Sequence, residues 1–256
     1  FCEERYEFHT LIDPIATFCY QPMPDQPVIK IVPGKPERFL AGAPTIRAVG
    51  ESFDVKFKGE DKWGNPSDKC DHQFTLRANH QVSGLPEKVT LAAGHFAGVI
   101  PGLQVHEPAD FAIEFLDDSG ALVCATNPIR IEDAPTSRHF WGDLHGQSEE
   151  TIGTGTSEAY FKFARDYAFV DIIGHQGNDF QITTAFWRHL NDLCARFNVD
   201  GKFIAIPGYE WSGNTGLGGD RNIYFPNEGR VLRRSSHALV SDHSDIDTDC
   251  NSAAEL

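Results

Sequence analysis

Between about residues 36 and 132 the chain alternates apolar and polar positions in short runs broken by Gly, Pro, Asn and Asp. In "SFDVKFKG", Phe53, Val55 and Phe57 share one face while Asp54, Lys56 and Lys58 share the other. A period of two marks a half-buried strand. "QFTLRA", "KVTLAA", "DFAIEFLD" and "NPIRIED" repeat the pattern at about ten-residue spacing, which predicts an immunoglobulin-like β-sandwich. "EDKWGNPSD" reads as a turn-rich loop within it, and His72, His80, His95 and His106 read as surface or turn residues.

After the linker "EDAPTSRHF" the period changes. "TSEAYFKFARDYA" has helical spacing, with Thr156 or Ser157 as N-cap and Tyr160, Phe163, Ala164, Tyr167 and Ala168 on its apolar face. "TAFWRHLNDLCARFN" predicts a second helix with Phe186, Leu190, Leu193, Cys194 and Phe197 on one stripe. Between and after them, "RHFWGDLHGQ", "FVDIIGHQ", "KFIAIPGYEWS" and "RNIYFP" read as strands. Alternating strands and helices predict right-handed crossovers and a largely parallel sheet. Three parts follow: a proline-rich arm over 1–35, an all-β domain over 36–134 and an α/β domain over 135–256.

Polar residues recur at the same point of each α/β unit. The first strand ends at Asp143, His145 and Gln147, the second at His175 followed by Gln176, Asn178 and Asp179, and the third at Glu210. The C-terminal ends of parallel strands share one rim, where ligands bind. His145, His175 and Glu210, remote along the chain, are therefore expected to converge. Two imidazoles and a carboxylate suit a divalent ion such as zinc, manganese or ferrous iron.

The composition narrows the classes. At 256 residues, with 40% hydrophobic and 23% charged residues, the chain is an ordinary globular one. A net charge of −15 argues against binding double-stranded nucleic acid through its phosphates. The six cysteines contain no CxxC pair and form no disulfide-scaffold pattern. No apolar run reaches the roughly 20 residues of a membrane span. The chain begins at Phe1 without an initiator Met, so its start is expected to be processed or trimmed. The cytoplasm is the expected compartment.

"DLHGQS", "IIGHQGND" and "IPGYEWSG" resemble successive motifs of the PHP (polymerase and histidinol phosphatase) superfamily, and in particular its bacterial branch with a "GDLHGQS"-type signature. The matching residues run from about 139 to 225. The resemblance implies a distorted (β/α) barrel, here partial and incomplete at its C-terminus, behind the immunoglobulin-like sandwich. It implies up to three divalent metals (Zn, Mn or Fe) on the rim and hydrolysis of phosphoesters. Carried over by position, His145, Gln147, His175, Glu210 and Asn222 become metal ligands, with Glu210 also catalytic. Arg221, beside Asn222, is the cation nominated to hold a phosphate or carboxylate in a catalytic role. Gln147 stands where the family has a second histidine, and Gly174 where it has an aspartate.

The function expected is therefore a metal-dependent hydrolase, with a phosphoester or other small molecule as substrate. Amide or ester hydrolysis on the same rim, or a binding protein that has lost catalysis, are the alternatives. Glu149 and Glu150 read as loop carboxylates or further ligands, "SGNTGLGGDRN" as a lid or a connection, and "SSHALVSDHSDIDTDCNSAAEL" as a solvated surface tail.

Overall fold

The computed structural model describes residues 6–214, 216 and 218–256; Cys2, and Thr215 and Leu217 of the expected lid, lie outside the described residues. The chain divides into two compact units between Ser137 and Arg138.

The first unit is all β. In its arm, β1 (Tyr6–Glu7), β2 (Leu11–Ile12), β3 (Gln21–Pro22) and β4 (Val28–Ile29) form two short ladders, β1 with β4 and β2 with β3. The strands β5 (Arg38–Gly42), β6 (Ile46–Ala48), β7 (Phe53–Glu60), β8 (His72–Ala78) and β9 (Lys88–Leu91) follow. Then come β10 (Ala97–Leu103), β11 (Ala109–Phe111), β12 (Ile113–Leu116), β13 (Leu122–Ala125) and β14 (Ile129–Glu132). They assemble as β10-β7-β5, β11-β14-β6 and β13-β12-β8-β9, antiparallel except for the parallel β14–β6 pair.

These ladders enclose one core, as a β-sandwich requires. Phe53, Val55 and Phe57 of β7 point inward, as the alternation predicts, and join Phe74 of β8 and Phe115 of β12. The Phe57 ring lies 5.4 Å from Phe115 and 6.2 Å from Phe74. Burying each such ring stabilises the unit by roughly 1.5–3 kcal/mol. His72 is no bare surface residue: its ring packs 4.5 Å from that of Phe74.

The second unit holds β15 (Gly142–Gly146), β16 (Ile172–His175) and β17 (Ile204–Ile206) as a parallel sheet in that order. The helices α1 (Ser157–Phe163) and α2 (Thr184–Phe197) connect them. Sequential order with right-handed crossovers puts both helices on one face. There Ile173 and Ala205, neighbours across β16 and β17, pack with Phe161, Leu190, Leu193 and Cys194. On α2 the predicted stripe is buried in full. On α1 it is not, because the helix widens into a π turn over Ala164–Ala168 and changes phase. Phe161 and Ala164 are buried, whereas Phe163 and Tyr167 are only half-buried.

The distorted (β/α) barrel expected from the sequence is not formed. Among the described residues the chain is mostly β, with two α-helices and one three-stranded parallel sheet. The stretch expected as the third strand breaks at Pro207, which has no N–H to continue a ladder. Beyond it, β18 (Gly208–Trp211) pairs antiparallel with β19 (Arg221–Tyr224) as a separate hairpin. Nor is β15 the buried strand expected: it is exposed, and Phe140 and Trp141 before it are 51% and 61% exposed.

The C-terminal stretch is also no solvated tail. Arg234, Ser235, His237, Val240 and Cys250 are buried. Arg234 donates to the Ile182 carbonyl at 3.0 Å and to Asp245 at 2.8 Å, and Trp211 donates to the Cys250 carbonyl at 2.9 Å. A run of Ser, Asp and His reads as surface because its compensating arginine lies outside the run.

Candidate functional site

A polar pocket forms where β15 ends, β16 runs into the 176–179 segment and the β18–β19 hairpin crosses. The pairing of β15 with β16 slips between Asp143 and Gly146, and His145 lies in that irregularity. Such a bulge re-aims the side chains around it. The 176–179 segment carries the ladder onward: Glu210 donates its N–H to the Gly177 carbonyl, and Asp179 donates to the Glu210 carbonyl, both at 2.9 Å. Gly208 is required for closure, since a Cβ there would lie 2.4 Å from both Gln176 Nε2 and the Ile223 carbonyl. Tyr224 ties the hairpin to β15 through a 2.7 Å bond to the Leu144 carbonyl.

Glu210 is the centre of the pocket. Its Oε2 lies 3.7 Å from His145 Nε2 and receives the side-chain amides of Gln147 at 3.4 Å and Asn178 at 3.1 Å. Thr151 donates to Gln147 Oε1 at 2.8 Å, and Asn178 also donates to Ser212 Oγ at 2.9 Å. Those bonds fix which end of each amide faces the carboxylate. Asn178 Oδ1 is left buried with no hydrogen-bond partner. Burial raises the Glu210 carboxyl above its ordinary value; His145 opposes the rise and Asp220 adds to it. Asn222 sits directly opposite Glu210 in the hairpin, on the same face.

His175 does not join them. It is fully buried; its Nδ1 accepts the Gly177 N–H at 3.2 Å and its Nε2 lies 2.7 Å from Ser148 Oγ, itself fully buried. An accepting Nδ1 leaves Nε2 as the donor to the serine. The rings of Tyr160 and Phe186 stand edge-on at 5.9 and 5.6 Å. Burial lowers the imidazole to about 4, with nearby Glu150 pulling the other way. Both nitrogens are engaged, so His175 has no lone pair to offer a rim ion.

The other expected residues divide similarly. Arg221 pairs with Trp211, so it alternates to the opposite side of the hairpin from Glu210, and it donates to the carbonyl of Asp220 at 2.8 Å. Burial pushes the Glu150 carboxyl up, but the Ser148 and Ser157 hydroxyls outweigh it and the net shift is downward. Glu150 accepts from Ser157 Oγ at 2.9 Å at the start of α1. Asp179, fully buried, grips the backbone N–H groups of Ser212 at 2.6 Å and of Ser235. Asn178 and Ser212 carried no signal as site residues beyond lying beside the histidine and glutamate motifs.

The donor set can be tested against the metals that the motifs imply. Among the described residues there is no group of three or more His, Cys, Asp or Glu that could hold a metal ion. A centre built on His145, His175 and Glu210 does not fit, because His175 is sealed. What remains on the rim is the pair His145 and Glu210. Ligand bonds of about 2.1 Å at angles of roughly 90–120° hold two donors about 3.0–3.6 Å apart, and the His145–Glu210 separation is 3.7 Å. An imidazole and a carboxylate would suit an ion such as Mn²⁺ or Zn²⁺ better than Mg²⁺, with the other ligands coming from outside the chain.

No family model matches the chain. It is similar to an uncharacterized protein of Chlamydia pneumoniae, 23% identical over 232 residues, which cover 89% of this chain and 37% of that protein. An uncharacterized protein of Chlamydia muridarum is 23% identical over 82% of this chain and 34% of its own length. The chain thus spans about a third of the length of the curated relatives it matches. Among solved structures, a glycosyl hydrolase family 2 member from Bacteroides cellulosilyticus aligns at TM-score 0.34 with 9% identity, over 42% of this chain and 16% of that one. The D00-D0 domain of intimin aligns at 0.30 with 10% identity, over 51% of this chain and 66% of that one. No helix among the described residues is long and apolar enough to cross a membrane.

Proposed function

We propose that the Glu210 pocket hydrolyses phosphoesters with the help of one divalent cation shared between His145, Glu210 and the substrate. The observation that supports this reading is the 3.7 Å separation of His145 Nε2 and Glu210 Oε2: too long for a hydrogen bond and close to the spacing of two ligands on one ion. The PHP-like motifs support the reaction class.

When bound, such an ion neutralises phosphate charge and makes water more acidic. The chain's own residues do the rest. His145, whose side chain is half exposed, reaches the substrate side of the pocket, while the Glu210 side chain is mostly covered. The amides of Gln147 and Asn178 hold the Glu210 carboxylate in one orientation. Burial raises the Glu210 carboxyl above its ordinary value, and a cation shared with His145 would favour its ionised form. Asn222 offers an amide on the same face to a phosphate or leaving-group oxygen.

The test is turnover of p-nitrophenyl phosphate and bis(p-nitrophenyl) phosphate with Mn²⁺ or Mg²⁺ added, alongside calorimetric titration of the ion alone. Ion-dependent turnover should fall about 100-fold or more in His145→Ala and Glu210→Gln. Asn178→Ala should weaken ion binding by roughly 10–100-fold, as loss of an orienting partner does. Turnover that is absent in wild type, or unchanged in His145→Ala, ends the proposal. Ion binding without turnover would favour a binding protein that has lost catalysis.

A further inference from the structure

The sandwich carries a second candidate site, at the turn following β7. Asp61 is buried there, and its carboxylate accepts N–H groups from Gly34 at 2.9 Å, Trp63 at 2.9 Å and Asn65 at 3.0 Å, and the Asn65 side-chain amide at 3.1 Å. Asp61 and Asn65 also bond through their backbones at 2.9 Å, and Gly64 adopts φ +85° to close the turn. So many bonds converging on one carboxylate make the turn rigid.

That rigid turn displays Trp63 with 76% of its surface exposed, although an indole is among the costliest side chains to leave in water. Lys62 Nζ lies over one face of the ring, 4.7 Å from its centroid, which leaves the opposite face for a ligand to stack on. Beside the indole is a cleft of about 450 Å³ lined by Glu37, Arg38, Asp61, Lys62, Trp63 and Gly64, a volume within the roughly 300–1,000 Å³ of small-ligand sites. Glu37, Arg38 and Lys62 are exposed. Arg38 is held in place by Glu60, which accepts from its Nε at 2.7 Å.

We infer that this cleft binds a polysaccharide, with a pyranose ring stacked on the Trp63 indole. A sugar ring has an apolar C–H face for the indole and hydroxyls around its edge. Those hydroxyls need both donors and acceptors, which Arg38 and the Glu37 carboxylate supply. A flat aliphatic or aromatic ligand would leave the charged walls without partners. The pre-ordered turn means that little conformational entropy is lost on binding. This site stands independently of the Glu210 pocket.

Affinity electrophoresis through gels holding polygalacturonate, with calorimetric titration of cello- and chito-oligosaccharides, tests it on the full chain. At least one of these three probes should bind, and Trp63→Ala should weaken that binding roughly tenfold or more, the scale of losing an aromatic anchor. Glu37→Gln should weaken it less. Trp63 is exposed and its replacement should leave the thermal transition in place, which separates lost binding from lost fold. If none of the probes binds, or if Trp63→Ala binds as wild type does, the inference is overturned.

Discussion

The sandwich closes its core with aromatic rings from facing ladders and keeps its buried charge at one end of β7, at Lys58, Glu60 and Asp61. The second unit covers one face of its sheet with helices and threads charged and polar groups through its interior, as at Arg234, Asp179 and the neutral His175. An apolar core tolerates no void, whereas a polar interior tolerates no missing partner. The two regions should therefore fail through different single changes.

The largest effects come from breaking each on its own terms. Phe115→Ala opens a cavity among Phe57 and Phe74 and should cost about 3–5 kcal/mol. Arg234→Met removes a fully buried guanidinium from Asp245 and from the Ile182 carbonyl, and should also cost about 3–5 kcal/mol, because the partners are left uncompensated. Denaturant titration gives the totals, and peptide-resolved hydrogen exchange locates them. Protection should fall in β7, β8 and β12 for the first variant and in α2 and β18 for the second. The reverse distribution would dissolve the contrast.

Acid sharpens the comparison. Burial pushes the Asp61 carboxyl up, but the N–H groups of Gly34, Asn65 and Trp63 outweigh it and hold the acid far below its usual range. A depressed carboxyl contributes stability that is intact above its unfolded value of 3.8 and is lost as pH falls further. His175 behaves differently. Its folded value of about 4 lies below the unfolded 6.5, so the unfolded chain takes up a proton first and stability declines as pH falls through that window. The decline amounts to about 3 kcal/mol. On acidification the second unit should therefore loosen between pH 6.5 and 4 while the turn at Asp61 holds. Hydrogen exchange at pH 7, 5 and 4 reads this directly, and His175→Phe should flatten the dependence in the second unit. Equal loss of protection in both units over that window would contradict it.

What was legible in the chain follows the same division. A strand packed on one side writes its burial as a period of two, so Phe53, Val55 and Phe57 were readable. The α2 stripe was readable because the helix stays regular for 14 residues. The α1 stripe was misread because the π turn shifts the phase, and nothing local in "FARDYA" signals it. His145 and Glu210 do meet across the β15 bulge and the hairpin. His175 and Arg221, expected at the site, turn away from it because the side to which a strand-end residue points depends on Ser148, Gly177 and the hairpin register. The partial barrel failed at Pro207, which stands in plain view in the sequence but was read as lying within a strand.

The smallest effects test whether local chemistry differs between the units. Thr156 caps α1 by accepting the Ala159 N–H at 3.2 Å, and Thr183 caps α2 by accepting that of Phe186 at 3.1 Å. Each satisfies a donor that the helix itself cannot, so Thr→Ala at either position should cost about 1 kcal/mol. In the sandwich, Thr90 receives a long 3.5 Å bond from Gln73 on an exposed ladder, and no backbone group depends on it. Thr90→Ala should stay within about 0.5 kcal/mol of wild type. Thermal melts of the three variants should order them accordingly, with Thr183→Ala at least as damaging as Thr156→Ala because α2 brings Leu190, Leu193 and Cys194 to the core. If Thr90→Ala matched the caps, side-chain bonds on the sandwich surface would carry as much stability as helix ends do, and the contrast between an apolar and a polar interior would not extend to their surfaces.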